Sequence, residues 1–195
     1  MDSDNNQQLS SKIGPIKFIA IFLLSIWLVY FLSIILPLRD FGLIPRTMQG
    51  LVGILTSPFL HGSLYHILGN SISFILFAVF FYLLEGEKML AKLFLIVLIG
   101  GSLTWLFART ANHIGASGLI FGMWGYLLLS GWFSKKIKYI IVSLIIMALY
   151  SGMIFGLFPL RSGVSFESHL FGFIAGVIIA WNYHQTSKSS EKEPT

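Results

Sequence analysis

The sequence predicts an all-α polytopic membrane protein, a bundle of six transmembrane helices with an apolar, interrupted first external loop. Three observations predict it. Of the 195 residues, 55% are hydrophobic and only 11% charged, under half the charged share of about 25% found in soluble domains. Apolar runs of about the 20 residues that a helix needs to cross a hydrocarbon core recur along the chain. The basic residues between those runs divide unevenly, lysines to one set of connections and arginines to the other.

The opening MDSDNNQQLSSKIGPIK carries two acids. It lacks the basic start and small-residue cleavage site of a signal peptide and the Arg-rich amphipathic character of a transit peptide. Residues 1–15 therefore read as a short disordered tail. The first apolar run, Ile16–Leu36, is followed by a connection from Pro37 to Ser63 that is apolar but broken by Gly and Pro. Such a stretch fits an interfacial or re-entrant segment, whose freed backbone groups need protein or water partners, and equally an ordinary packed loop. Further spans are predicted at Leu64–Leu84, Met89–Phe107, Ser117–Phe133, Ile137–Leu157 and Phe166–Tyr183, leaving 184–195 as a C-terminal tail. One membrane domain, 16–183, holds all six.

With these spans, Lys12, Lys17, Lys88, Lys92, Lys135, Lys136, Lys138, Lys188 and Lys192 share one side, and Arg39, Arg46, Arg109 and Arg161 the other. That bias predicts cytoplasmic termini and an external first, third and fifth connection. The net charge of +5 has no aromatic-interleaved basic patch beneath it, so nucleic acid is not an expected partner. The chain has no cysteine, which excludes disulfides, thiolate metal sites and cysteine nucleophiles.

Polar groups inside a span cost roughly 2.5–3.5 kcal/mol when charged, so by default they face the bundle interior and mark function. In HGSLYHILGN, His66 and Asn70 stand four apart and project from one helix face. In NHIGASGLIFG, Ser117 opens the fourth span among Gly115, Ala116 and Gly118. Small neighbours leave its hydroxyl uncrowded, and a helix start presents unpaired N–H groups suited to an oxyanion. The same placement suits a plain N-cap. In ESHLFGFIAGV, His169 lies about one turn into the last span. The pairs Gly118/Gly122 and Gly172/Gly176 allow these two helices to approach closely and bring His169 to Ser117. A membrane histidine taken singly reads equally as a satisfied interhelical hydrogen bond. His61 reads as a buttress of the loop, His113 and His184 as interfacial or loop residues, Glu85 and Glu87 as helix-boundary charges, and Glu167 as an N-terminal helix charge. His61, His66 and His169 could supply three nitrogen ligands to a metal, but no acidic residue lies within the spans to orient them, so no metal site is expected.

The three segments together resemble the rhomboid intramembrane serine proteases. That family's pattern is a His and an Asn four apart in the second span, G-x-S-G opening the fourth, and H-x-x-G-x-x-x-G in the sixth. Here those are His66 and Asn70, Gly115-Ala116-Ser117-Gly118, and His169 with Gly172 and Gly176. The resemblance covers about Pro37 to Tyr183. Two departures stand out: GLVGILTSPFLHG lacks the Trp-Arg the family often carries in the first external loop, and Phe121 stands where a Tyr is common.

The resemblance implies a serine endopeptidase that cuts transmembrane segments of other proteins within the bilayer. It implies a Ser117–His169 dyad, oxyanion donors from His66, Asn70 and the Ser117 N–H, and Phe121, His61 and the glycines in support. The implied mechanism requires no cofactor; a water-accessible cavity on the outer side is expected, with an address in a bacterial inner membrane. The alternatives are a non-catalytic relative that binds membrane helices, which would lack Ser or His, and a channel, which would need polar residues along a path through both leaflets.

Overall fold

The computed structural model describes residues 2–160 and 163–190. Seven helices follow in order: α1 (Asp2–Leu32), α2 (Met48–Thr56), α3 (Leu64–Glu85), α4 (Lys88–Phe107), α5 (Ser117–Ser134), α6 (Ile137–Tyr150) and α7 (Phe166–Ser190). Short 3-10 turns occupy Leu38–Phe41 and Ser57–Phe59, and α6 tightens into a third at Ser151–Leu157. The fold is all-helical; the described residues add one isolated bridge between Leu43 and His113.

Local chemistry sets the helix ends. Ser63 caps α3, its Oγ accepting the His66 N–H at 3.2 Å, a bond worth about 1 kcal/mol. Gly86 ends α3 at φ +56°, and Lys135 ends α5 in the left-handed region. Helix α1 begins at Asp2, inside the stretch expected as a tail, and α7 runs on to Ser190, past Tyr183. The side chains of Lys12 and Lys188, and Arg161 and Lys192 entire, lie outside the described residues.

Three segments are long and apolar enough to cross a membrane: Leu64–Glu85, Lys88–Phe107 and Ile137–Leu157; Ile16–Leu32 is a shorter apolar helix. Helix α5 is the most enclosed by protein. Every residue from Leu119 to Leu127 is buried, the mark of a helix enclosed on all sides. Around it pack α3, α4, α6 and α7, with α1 against α3; these five helices turn Leu24, Ile72, Phe94, Leu144 and Ile178 outward, the apolar exterior of a bundle made for lipid.

The first connection folds as α2 between the two 3-10 turns and packs on α4. Thr47 caps it, accepting the Gly50 N–H at 3.0 Å. Gly50 and Gly53 press on the backbone of Leu43 and Ile44, where a Cβ would come within 1.8 and 2.3 Å of main-chain atoms. Without the expected Trp-Arg, this segment is nonetheless anchored. Arg46 donates from Nη1 to the carbonyls of Leu106 (3.2 Å) and Ala108 (2.7 Å), and Trp105 Nε1 donates to the Thr47 carbonyl at 2.9 Å. A guanidinium on the last carbonyls of α4 satisfies groups that the helix leaves orphaned. An indole and an arginine thus fasten the loop from opposite partners.

Glu85 departs from the expected boundary charge. It is 7% exposed, paired with the Lys92 ammonium, and accepts the Tyr126 hydroxyl at 2.6 Å. Lys92 in turn donates to Tyr126 at 2.7 Å and sits 3.1 Å over the Tyr183 ring. The apolar spacing of α3 gave no sign of this, because the partner comes from α4 and α5. His184 is likewise buried, edge-on to Tyr139, since α7 carries it past the expected end of the span. His113 is buried as well. Its backbone pairs with Leu43, and its ring meets Ser165 and the Arg109 carbonyl.

Candidate active site

Ser117 is the first residue of α5, so its N–H has no intrahelical acceptor. The residue in the N-cap position is Ala116, with no side-chain cap. The Ser117 hydroxyl instead lies 2.9 Å from Nε2 of His169. On the far side of the ring, Nδ1 is 3.0 Å from the carbonyl oxygen of Gly156. A carbonyl can only accept, so Nδ1 carries the proton and Nε2 presents its lone pair to the hydroxyl. The Phe121 ring stacks under the imidazole, 4.1 Å between centroids and 4° from parallel.

This pairing depends on how closely α5 and α7 approach. A Cβ on Gly172 would stand 2.0 Å from the Gly118 carbonyl oxygen, and one on Gly176 1.9 Å from that of Gly122. Neither site has room for a methyl group. Gly125 adds a third contact of the kind, where a Cβ would stand 2.6 Å from the Phe173 carbonyl oxygen, which the paired spacing did not single out. His169 faces Ser117 because backbones touch along this seam.

From α3, His66 and Asn70 border the same space. Gly115, at φ +121°, has the backbone of a residue without Cβ. A side chain there would meet His66 Nε2 at 2.5 Å and Asn70 Nδ2 at 3.4 Å. The two nitrogens therefore converge above the residue that leads into Ser117. His61, expected to buttress the loop, is fully buried, with Nδ1 toward the Phe59 carbonyl (3.3 Å) and Nε2 toward Asn70 Nδ2 (3.0 Å). Burial, reinforced by the neighbouring charge of His66 and opposed by the Phe59 bond, pulls its pKa down to about 4.

Ser117, His169, His66, Asn70 and Phe121 line one cavity of about 790 Å³, rimmed by Ser63, Arg109, Asn112 and Ser165. Arg109 reaches across the rim to the Val164 carbonyl (3.0 Å) and Glu167 (3.3 Å). Glu167 is thus an ion-pair partner for a loop, 3.3 Å from that arginine, in the first turn of α7. Gly156 was missed by sequence reading: its contribution is a carbonyl, which no side chain advertises.

A family model for the Rhomboid domain matches residues 48–186. The chain belongs to the rhomboid family. Among its relatives, an uncharacterized protein of Mycobacterium tuberculosis is 33% identical over 149 residues, 72% of this chain and 62% of that protein. An uncharacterized protein of Mycobacterium leprae is 31% identical over 138 residues, covering 66% and 55% of the two chains. RHOMBOID-like protein 4 of Arabidopsis thaliana is 31% identical over 134 residues, 66% of this chain and 33% of the plant protein. The match spans less than two thirds of each relative's length.

Proposed function

We propose that this rhomboid-family chain is an intramembrane serine endopeptidase acting on transmembrane segments of other proteins through a Ser117–His169 dyad. The observation that carries the reading is the 2.9 Å contact between Ser117 Oγ and the lone-pair nitrogen of His169, inside a cavity of about 790 Å³. That is the geometry of a nucleophile with its base, and the Gly156 carbonyl fixes the base's tautomer.

In the reaction, Ser117 Oγ attacks the scissile carbonyl carbon as its proton passes to His169 Nε2. The tetrahedral oxyanion is held by the Ser117 N–H and by donors from His66 and Asn70, each worth about 3 kcal/mol in the transition state. His169 then returns the proton to the leaving amine. Water, activated by the same nitrogen, hydrolyses the acyl-enzyme and releases the second product. Among the described residues no carboxylate bonds to the imidazole, and this chemistry requires no cofactor. A helical substrate must unwind first, because its carbonyls are already hydrogen-bonded.

In this reading six helices (α1 and α3 to α7) span the bilayer as one membrane domain, 16–183, with both termini cytoplasmic and the cavity on the outer side. The lysine bias supports the orientation. Both dyad members are present, which favours an active protease over a helix-binding relative.

The test is cleavage of a reporter transmembrane substrate in liposomes by wild type, Ser117→Ala and His169→Ala. Both variants should lose turnover and remain folded. Cleavage by Ser117→Ala at the wild-type rate would remove the proposed nucleophile.

A further inference from the structure

His61 lies outside the dyad and outside the oxyanion donors, yet it is the most enclosed polar side chain near them. It sits between the Ser57–Phe59 turn and the Ser63 cap, with 0% of its surface exposed. Three groups surround its two nitrogens. The Phe59 carbonyl oxygen lies 3.3 Å from Nδ1. The Asn70 amide nitrogen lies 3.0 Å, and the Ala116 N–H nitrogen 3.5 Å, from Nε2.

Two of these groups have no freedom. A carbonyl only accepts, so Nδ1 holds the proton; a backbone N–H only donates, so Nε2 is the lone pair. Both demand the same tautomer. Asn70 must then present its NH₂ to the ring and not its oxygen, because the opposite flip would set its oxygen against the Nε2 lone pair, one acceptor against another. One amide hydrogen is committed to His61. The second hydrogen of the same nitrogen is left for the space above Gly115, where His66 Nε2 also arrives.

We infer that His61 is a positioning residue that holds the Asn70 amide as a hydrogen-bond donor toward the oxyanion site and ties it to the peptide preceding Ser117. The inference rests on the protease reading above. Its physical content is a shared reference: a single ring nitrogen receives Asn70 from α3 and the Ala116 N–H at the start of α5. Donor and nucleophile therefore keep a fixed relation even though they belong to different helices. Without that acceptor the Asn70 amide is free to turn its oxygen toward the developing negative charge, where it repels. Burial, which keeps the ring neutral, serves this role, since a second proton would face two N–H donors.

The discriminating pair is His61→Gln and His61→Met. The two side chains have nearly the same shape, but Gln carries an acceptor oxygen about where Nε2 stands, and Met carries none. In liposomes with the reporter substrate, His61→Met should lower kcat by about 10²-fold, approaching the loss of an oxyanion donor, with KM unchanged. His61→Gln should recover most of that rate. Adding Asn70→Ala to His61→Met should cost little more than Asn70→Ala alone, because His61 acts through Asn70.

Equal losses in Gln and Met, an effect on KM alone, or losses that multiply with Asn70→Ala would overturn the inference and leave His61 a packing residue. If the Met protein does not fold, the decision passes to His61→Gln. Turnover far above that of Asn70→Ala supports the role, and turnover as low as Asn70→Ala defeats it. Ser117→Ala run alongside separates the two levels: its activity would sink the protease reading, whereas a Ser117-dependent rate indifferent to the acceptor at position 61 would sink only this inference.

Discussion

Each ring nitrogen of His169 faces a partner of the opposite kind, the Gly156 carbonyl at Nδ1 and the Ser117 hydroxyl at Nε2. The arrangement needs no carboxylate, since one backbone oxygen suffices to choose the tautomer. Phe121 keeps the ring flat against it by stacking. Phe121→Ala should lower kcat while leaving Ser117 reactive toward a fluorophosphonate probe, only more slowly; unchanged labelling and turnover would show that the stack is not needed. Asn70→Ala should reduce kcat by about 10²–10³-fold with KM preserved, the pattern of an interaction made only in the transition state. A rise in KM alone would contradict the donor role. A pH effect follows from His61, whose pKa is drawn from 6.5 down to about 4 in the fold. Between those values the unfolded chain binds more protons than the folded one, so stability contributed by neutral His61 is full above pH 6.5 and is lost as pH falls through the window. Unfolding followed from pH 7 to 4 should therefore show a decline that His61→Gln makes smaller. Of these residues Ser117, His169, His66 and Asn70 could be picked out from the sequence because they are polar groups in apolar surroundings. Gly156 could not, since every residue has a carbonyl.

At the scale of elements, the α5–α7 seam governs the site. Gly172→Ala would place a methyl 2.0 Å from the Gly118 carbonyl oxygen, and neither helix can give way by moving a flexible side chain. The helices must part, and His169 with them. We expect loss of both turnover and thermal stability, a joint loss that distinguishes this change from Asn70→Ala. Gly62→Ala is the control, because a Cβ there meets only Ile114 Cδ1 at 3.8 Å. Most helix positions were legible as apolar runs bounded by Gly, Pro and polar residues. The 3-10 segment at Ser151–Leu157 was not, because it continues the apolar run of α6 without a break. Arg46 and Trp105 were not paired in advance either: they lie 59 positions apart by their numbers, and only the packing of α2 on α4 brings them together.

Across the whole molecule, a polar cluster lies in the bundle away from the dyad, joining α3, α4, α5 and α7 through Glu85, Lys92, Tyr126 and Tyr183. Removing one member of a buried ion pair leaves an uncompensated charge and costs about 3–5 kcal/mol. Glu85→Ala should therefore lower the unfolding temperature in detergent markedly, and Glu85→Leu combined with Lys92→Met should regain much of it. Equal destabilisation by single and double variants would indicate that the cluster acts as packing and not as charge. The sequence by itself determined an all-helical membrane protein of the rhomboid family and the residue types at its heart, because hydropathy and small-residue spacing are local properties written into each segment. Which groups touch was decided only by the tertiary structure. The hydrogen bond between Ser117 and His169 joins residues 52 positions apart and that between Tyr126 and the buried Glu85 residues 41 apart, while the Gly156 carbonyl reaches His169 from another element, and the energies of such contacts depend on distances that no single segment encodes.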